Sequence, residues 1–455
     1  MLGISRASAI ILLTVSLCCP NAYAANCSTT WITSQAEADT LRQNCPIVWG
    51  HVGIGPFEGN DTVHINLDGI QHIVGTLGES PLFMERYSTQ PEYTLSASSL
   101  QRVDAVEFGL VSTKIVNLTL PRLVYANDYV NIGRRALDLT YLDITNLHSA
   151  RSITLGAPDL RTLHHTRLRN VTTLWIYPMQ IESLDSLSDN ELDMEDVYIY
   201  GPFPNINNIP IGFSSVQYFV ISANSSLTLG GSSTKNMTIN QLYLKSVTGL
   251  KRSTKLETLE ADHLEISNSF LIPHLEIPFD NLSDLTIWDD DRKILKSITL
   301  PPKAVNWTGG VSFSIHSGPD LNLTSIYGAD DQGKRIQTWY WPKNVSGIHI
   351  AGATVGNAFF EPFVAQQMSP SNDLPPSNLQ YFRVFSSPNS TSFNCTIFRE
   401  LEDIGRLPSD KSNFECDDYH PSSSTSSDTS GAIPIQAPIT LSLVSAMLGI
   451  CIWML

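Results

Sequence analysis

Two acidic clusters are the first candidates for chemistry. Asp289-Asp290-Asp291 is followed by Arg292 and Lys293, and Asp330-Asp331 by Lys334 and Arg335. Carboxylates facing one another on one sheet, with a base nearby, can act as general acid and base on a glycosidic bond. Successive residues of a strand point to opposite faces, so at most two of the first three aspartates could cooperate. No Gly-His-Gly or Arg-Ile-Lys accompanies either cluster. Both read better as solvated turns or as ends of repeats. His164-His165 lacks metal-ligand spacing and reads as a surface feature. Gly309-Gly310 lacks a phosphate-loop context and reads as a turn. The expectation is a non-enzymatic chain with no catalytic residue, metal or cofactor.

A second set of side chains is suited to binding. Trp175, Tyr177, Tyr198, Tyr200 and Tyr243 recur beside apolar residues at even spacing, and Trp288 extends the series. Their apolar ring faces could pack on sugar rings. The plainer reading is that aromatics favour strands and stabilise a stack.

The elements that would position these rings form a repeat. An apolar-any-apolar pattern recurs as Val106-Glu-Phe108, Val130-Asn-Ile132, Ile153-Thr-Leu155, Leu174-Trp-Ile176, Val197-Tyr-Ile199, Phe219-Val-Ile221, Leu242-Tyr-Leu244, Leu264-Glu-Ile266 and Leu285-Thr-Ile287. The intervals are 24, 23, 21, 23, 22, 23, 22 and 21 residues. Alternation at period two marks a strand with one buried face, and spacing in the low twenties belongs to solenoids. A short strand cannot bury its apolar face alone, but a stack of them can. A fainter series, Leu118, Leu142, Leu163 and Leu184, follows each strand by about ten residues. Two strands per repeat predict an all-β parallel β-helix-like solenoid, with Pro- and Gly-bearing turns between strands. Before the repeat, Val63 to Asn66 reads as a strand, Ile70 to Leu77 as an apolar run, and Leu82-Phe83-Met84 as the hint of another. After Leu300 the period slips. Val311-Ser-Phe313 and Ile348-His-Ile350 fit no interval, and residues 325 to 347 read as an insertion or distorted repeats. Pro370 to Pro376 reads as a loop and Tyr381 to Phe385 as the last strand before the cap.

Composition narrows the setting. Charged residues are 16% of the chain, against about 25% in ordinary soluble proteins. A net charge of −16 argues against nucleic acid or an anionic membrane as partner. Arg6, the apolar run Ala9 to Leu17 and Ala22-Tyr23-Ala24 form a secretory signal cleaved after Ala24. The far end has a serine-rich stretch, a short spacer and an uncharged apolar tail from Ile439 to Leu455. That is the pattern of a glycosylphosphatidylinositol (GPI) anchor, attached at Ser430 or Ser427.

Four cysteines remain after both ends are removed: Cys27, Cys45, Cys395 and Cys416. Three connectivities are possible. Strands stacked about 4.8 Å apart would separate the two ends widely, which leaves Cys27–Cys45 and Cys395–Cys416. Each loop holds a helix signal: Ser34 and Glu37 before Ala36 to Arg42, and Thr396 to Leu401. Sequons stand at Asn26, Asn60, Asn117, Asn170, Asn224, Asn236, Asn281, Asn306, Asn322, Asn344, Asn389 and Asn394. Asn60, Asn170 and Asn281 each precede a strand, which predicts one glycosylated corner.

Set side by side, these parts resemble the fungal GPI-anchored cell-wall organisation proteins. That group is related to sporulation-specific surface proteins with a receptor-L-domain-like fold. The matching stretches are Cys27…Cys45, Asp68-Gly-Ile-Gln-His-Ile-Val-Gly75, Leu118-Thr-Leu-Pro121-Arg-Leu123, Ile181-Glu-Ser-Leu184-Asp-Ser-Leu187 and Phe393-Asn-Cys395-Thr-Ile-Phe398…Cys416. The resemblance implies a right-handed parallel β-helix, attachment to the membrane through the lipid or to the wall, and a role in wall integrity. The stalk after Cys416 is shorter than is common in that group.

The expected organisation is a signal peptide (1–24), an N-terminal cap (25–60), a β-solenoid ectodomain (61–390), a C-terminal cap (391–416), a Ser/Thr-rich stalk (417–430) and a removed propeptide (431–455). Cell-wall polysaccharide is the expected partner. The rival functions are a wall-glycan hydrolase or lyase on the same fold, and an adhesin or receptor-like binder.

Overall fold

A computed structural model describes residues 27–80, 91–110, 114–166, 168–267, 272–289, 295–329, 332–368, 379–410 and 412–417. The chain through Tyr419 forms one compact unit; His420–Leu455, the second, lies outside the described residues. Both expected termini, Ser430, Ser427 and Asn26 also lie outside them.

All nine expected strands occur in one parallel sheet of sixteen strands, in chain order. Their register follows the apolar pattern. Val106 faces Val130, then Ile153, Leu174, Val197, Phe219, Leu242, Leu264 and Leu285 follow one another across the sheet. These residues are fully buried. A slip of one residue would turn every one of them to solvent, so the alternation itself selects the register. Each buried Leu or Ile contributes about 2 kcal/mol of transfer free energy.

The sheet extends past the regular repeat at both ends. Ser28–Ile32, Ile47–Ile54 and His72–Glu79 precede it; Val311–His316, Val345–Ala351, Tyr381–Phe385 and Phe414–Asp417 follow it. The expected boundaries at 61 and 390 therefore do not delimit the sheet. His72–Glu79 pairs directly with Arg102–Phe108, Leu77 opposite Val106; the strand hinted at by Leu82 to Met84 lies outside the described residues. The irregular strands keep the register despite longer intervals: Phe313 faces Leu285, Ile348 faces Phe313, and Phe382 faces Ile348. The extra residues loop out, including an antiparallel hairpin of Tyr327–Ala329 with Arg335–Gln337. Tyr381–Phe385 is the last strand before the C-terminal helix, and Phe414–Asp417, which begins within the expected cap, pairs beyond it. Pro370 to Pro376 lies outside the described residues.

The second series forms narrower sheets. Ile65, Leu95, Leu118, Leu142 and Leu163 face one another across five parallel strands. Leu184 does not continue them. It is buried, but it caps the short helix Asp185–Ser188, and a new three-stranded sheet begins at Asn208–Ile211. Apolar residues of the wide and narrow sheets belong to one core.

Cys27–Cys45 and Cys395–Cys416 are both disulfide-bonded. The helix Gln35–Asn44 is capped by Ser34, whose Oγ accepts from Glu37 N, while Glu37 Oε2 accepts from Thr33 N. Thr396–Asp403 is helical as expected. A further helix, Asn357–Met368, was not signalled by the sequence. Pro362 lies inside it, and its Phe359, Phe360 and Phe363 join Trp341, Phe382 and Phe398 in an aromatic core.

Candidate functional site

Of the two acidic clusters only Asp289, Lys334 and Arg335 are described. Asp289 is buried rather than solvated, and its Oδ2 accepts from Ser317 Oγ at 3.2 Å. Asp290 to Lys293 and Asp330-Asp331 lie outside the described residues. Arg335 lies 4.2 Å above the Tyr327 ring. His164 is exposed, but His165 is only partly so. His165 Nε2 donates to the Leu147 carbonyl, and burial pushes its pKa down to about 4. Gly309, at φ +86°, occupies a turn as expected.

The aromatic residues do come together. Outward positions of parallel strands line up across the sheet, because neighbouring strands present equivalent side chains about 4.8 Å apart. Trp175 and Tyr198 are direct register partners, and their rings stack at 3.7 Å and 17°. Tyr177 and Tyr200 stack at 5.6 Å and 13°. Tyr243 falls in the row of Tyr198, with Val220 between them.

The ring that bridges this gap is Tyr218, which the sequence reading missed. It occupies the neighbouring outward position, two residues before Val220, and lies 5.6 Å from Tyr198 and 5.1 Å from Tyr243. The signal was present in the alternation but one position off the row. Trp288 does not extend the ladder. It stands four strands beyond Tyr200 in that row, after Ser222, Lys245 and Ser267, and stacks on His316 instead.

Stacking decides what the ladder can offer. Trp175 and Tyr198 cover each other's faces, so much of that surface is used within the protein. The later rings are splayed: Tyr218 and Tyr243 meet at 41°, and Tyr243 and His263 at 49°. Splayed rings leave part of each face open. Burial first, then the Asp196 carboxylate, pushes the Tyr198 phenol up to about 12, so it remains a neutral hydrogen-bonding group at any physiological pH.

The ladder ends in a polar group. His263 Nδ1 lies 2.7 Å from Asp284 Oδ2, and its Nε2 lies 4.0 Å from Glu265 Oε2. Ser312 Oγ donates to the other Asp284 oxygen at 2.6 Å. Burial opposes a charged imidazole here, but the hydrogen bond to Asp284 and the nearby Glu265 carboxylate outweigh it and raise its pKa from 6.5 to about 9. A histidine that stays protonated at neutral pH is a poor general base.

No sequon asparagine is itself a ladder position. Asn60, Asn170, Asn224, Asn236, Asn306, Asn322, Asn344, Asn389 and Asn394 are exposed, and Asn117 and Asn281 partly so. They do not gather at one corner. Asn170, Asn236, Asn281 and Asn344 stand at or just before main-sheet strands, but Asn60 precedes a strand of the narrow sheet, where Asn117 also lies. Among the described residues no group of three or more metal-ligating side chains occurs, and no helix is long and apolar enough to cross a membrane.

No protein family, curated protein or solved structure matches the chain.

Proposed function

We propose that this chain is a non-enzymatic, GPI-anchored surface glycoprotein that supports cell-wall organisation by binding wall polysaccharide. On this reading the parallel sheets wind as a right-handed β-helix of the receptor-L-domain kind, sealed at each end by a disulfide-bonded helix. Sixteen parallel strands in chain order and one core shared with the narrow sheets support it. The end helices protect what would otherwise be open apolar layers.

One observation carries the binding function: Trp175, Tyr198, Tyr218 and Tyr243 form a continuous outward row that no sequon interrupts. Rigid aromatic side chains give a large contact area at low entropic cost. Sugar C–H faces fit the splayed rings, and phenol hydroxyls fit sugar hydroxyls. The expected secretory signal, the sequons and the anchor pattern support a site outside the cell.

The test is co-sedimentation of the purified protein with insoluble β-glucan and chitin. Tyr218→Ala with Tyr243→Ala removes splayed rings that carry no core load. Binding should fall at least tenfold with the thermal midpoint nearly unchanged. Wild-type binding retained by this variant would refute the proposal. Release of reducing sugar from either polymer would favour the hydrolase reading instead.

A further inference from the structure

We propose that a cleft beside Tyr177 and Tyr200 binds a sugar carrying an oxyanion, and that the Arg134 guanidinium recognises the charge. This rests on the polysaccharide-binding reading and deepens it by naming the chemical class of one subsite.

The cleft follows from the ends of consecutive strands. Tyr125–Ile132, Ser152–Leu155 and Thr173–Ile176 are adjacent in the wide sheet. Arg134 lies just past the first, Gly156 just past the second, and Tyr177 just past the third. Arg134 therefore has to cross Gly156 to reach Tyr177. A Cβ at 156 would lie 3.2 Å from both Arg134 Cγ and Tyr177 Cδ2, so glycine keeps that path open. The guanidinium carbon rests 3.7 Å from the Tyr177 ring centroid. The opposite face of Tyr177 is taken by Tyr200. Arg134, Tyr177 and Tyr200 thus form a stack that fixes the plane of the guanidinium.

That geometry leaves the recognition groups free. Stacking uses the face of a guanidinium, while its five N–H donors point outward in its plane. Among the described residues no carboxylate and no hydrogen-bond acceptor engages Arg134. Contrast Arg252, which donates to three backbone carbonyls and pairs with Asp280. The cleft has a volume of about 340 Å³ and is walled by Pro158 and Pro178 as well as by the two tyrosines. No acidic side chain lines it. Its size is at the small end of ligand clefts. Pyrrolidine and phenol walls suit the C–H surface of a sugar ring, and a planar fork suits a carboxylate or phosphate in two-point contact. The overall charge of −16 does not forbid this, because exposed charges are screened beyond about 8 Å at physiological salt.

Isothermal titration of the purified full chain with glucose, glucuronate and glucose 6-phosphate tests the proposal. At least one anionic sugar should bind ten or more times tighter than glucose, and that advantage should shrink as salt is raised. Tighter glucuronate assigns a carboxylate ligand, and tighter glucose 6-phosphate a phosphate ligand. Arg134→Gln should remove the advantage, and Arg134→Lys should keep only part of it, because an ammonium lacks the fork. Thermal midpoints check that both variants fold. Equal binding of all three sugars, or an anionic preference that survives Arg134→Gln, overturns the proposal. If the wild-type protein binds insoluble wall polymer while showing no anionic preference, this inference alone fails. If it binds neither polymer nor sugar, the reading beneath it fails as well.

Discussion

Asp284→Asn should remove most of a pH-dependent share of stability that can be worked out from His263 and its carboxylate neighbours Asp284 and Glu265. Asp284 sits 2.7 Å from His263 Nδ1 on the next strand. The folded protein holds the His263 pKa at about 9, against 6.5 for a free imidazole. At roughly 1.4 kcal/mol per pH unit this amounts to about 3 kcal/mol. The imidazole is 24% exposed, and solvent screening reduces the figure to about 2 kcal/mol. The sign follows from proton linkage. Between pH 6.5 and 9 the folded state holds a proton that the unfolded state has lost, so stability falls as pH rises. Below pH 6.5 the contribution is fully present. Burial lowers His165 and His349 to about 4, which works the other way: stability falls as pH drops from 6.5 towards 4. The wild-type protein should therefore be most stable near pH 6.5. Urea unfolding at pH 5, 6.5, 8 and 9.5 measures both limbs. Asp284→Asn should flatten the alkaline limb and leave the acid limb alone. An alkaline limb already flat in the wild type, or one equally steep in the variant, would refute this account.

Other perturbations test the fold and the ladder. Leu264→Ala opens a cavity between Leu242 and Leu285 in a fully buried row and should cost about 2–5 kcal/mol in urea unfolding; a loss under about 1 kcal/mol contradicts the shared core. Replacing Cys395 and Cys416 by Ser opens a loop spanning 21 residues and should cost about 3 kcal/mol, with Phe414–Asp417 losing amide-exchange protection first. Gly231→Ala should destabilise the narrow-sheet side, because a Cβ there would collide with the Asp189 carboxylate, which accepts from Ser232 N at 2.8 Å; an unchanged thermal midpoint shows that the carboxylate can move aside. Tyr198→Phe should unfold like the wild type, whereas Tyr198→Ala should lose about 1 kcal/mol of ring stacking beyond the buried area, so equal midpoints would mean the stack is energetically idle.

Much of the wide sheet was legible because side-chain direction in a strand is a local property. Leu174 and Ile176 must point one way and Trp175 the other, whatever surrounds them. Legibility ended where a neighbour had to be identified across a loop of variable length. Phe313 and Ile348 carry the right alternation, yet hairpins and turns between strands hide their place in the sheet. Leu184 shows the opposite case: the repeat correctly marks it as buried, but a helical turn supplies that burial as well as a strand would.

The candidate site divides along the same line. The sequence by itself determined that Trp175, Tyr198 and Tyr243 face outward, and that each pair of cysteines closes a short loop at its own end. Period-two alternation and a steady interval suffice for both, since neither depends on the detailed path between strands. Only the tertiary structure decided that Tyr218 closes the row, that Trp288 leaves it, that His263 is held charged by Asp284, and that Arg134 crosses Gly156 to lie on Tyr177. Those contacts join residues one repeat apart in the chain, or two for Arg134 and Tyr177. They depend on ring rotation, turn geometry and the missing Cβ of one glycine, which hydrophobic periodicity does not record.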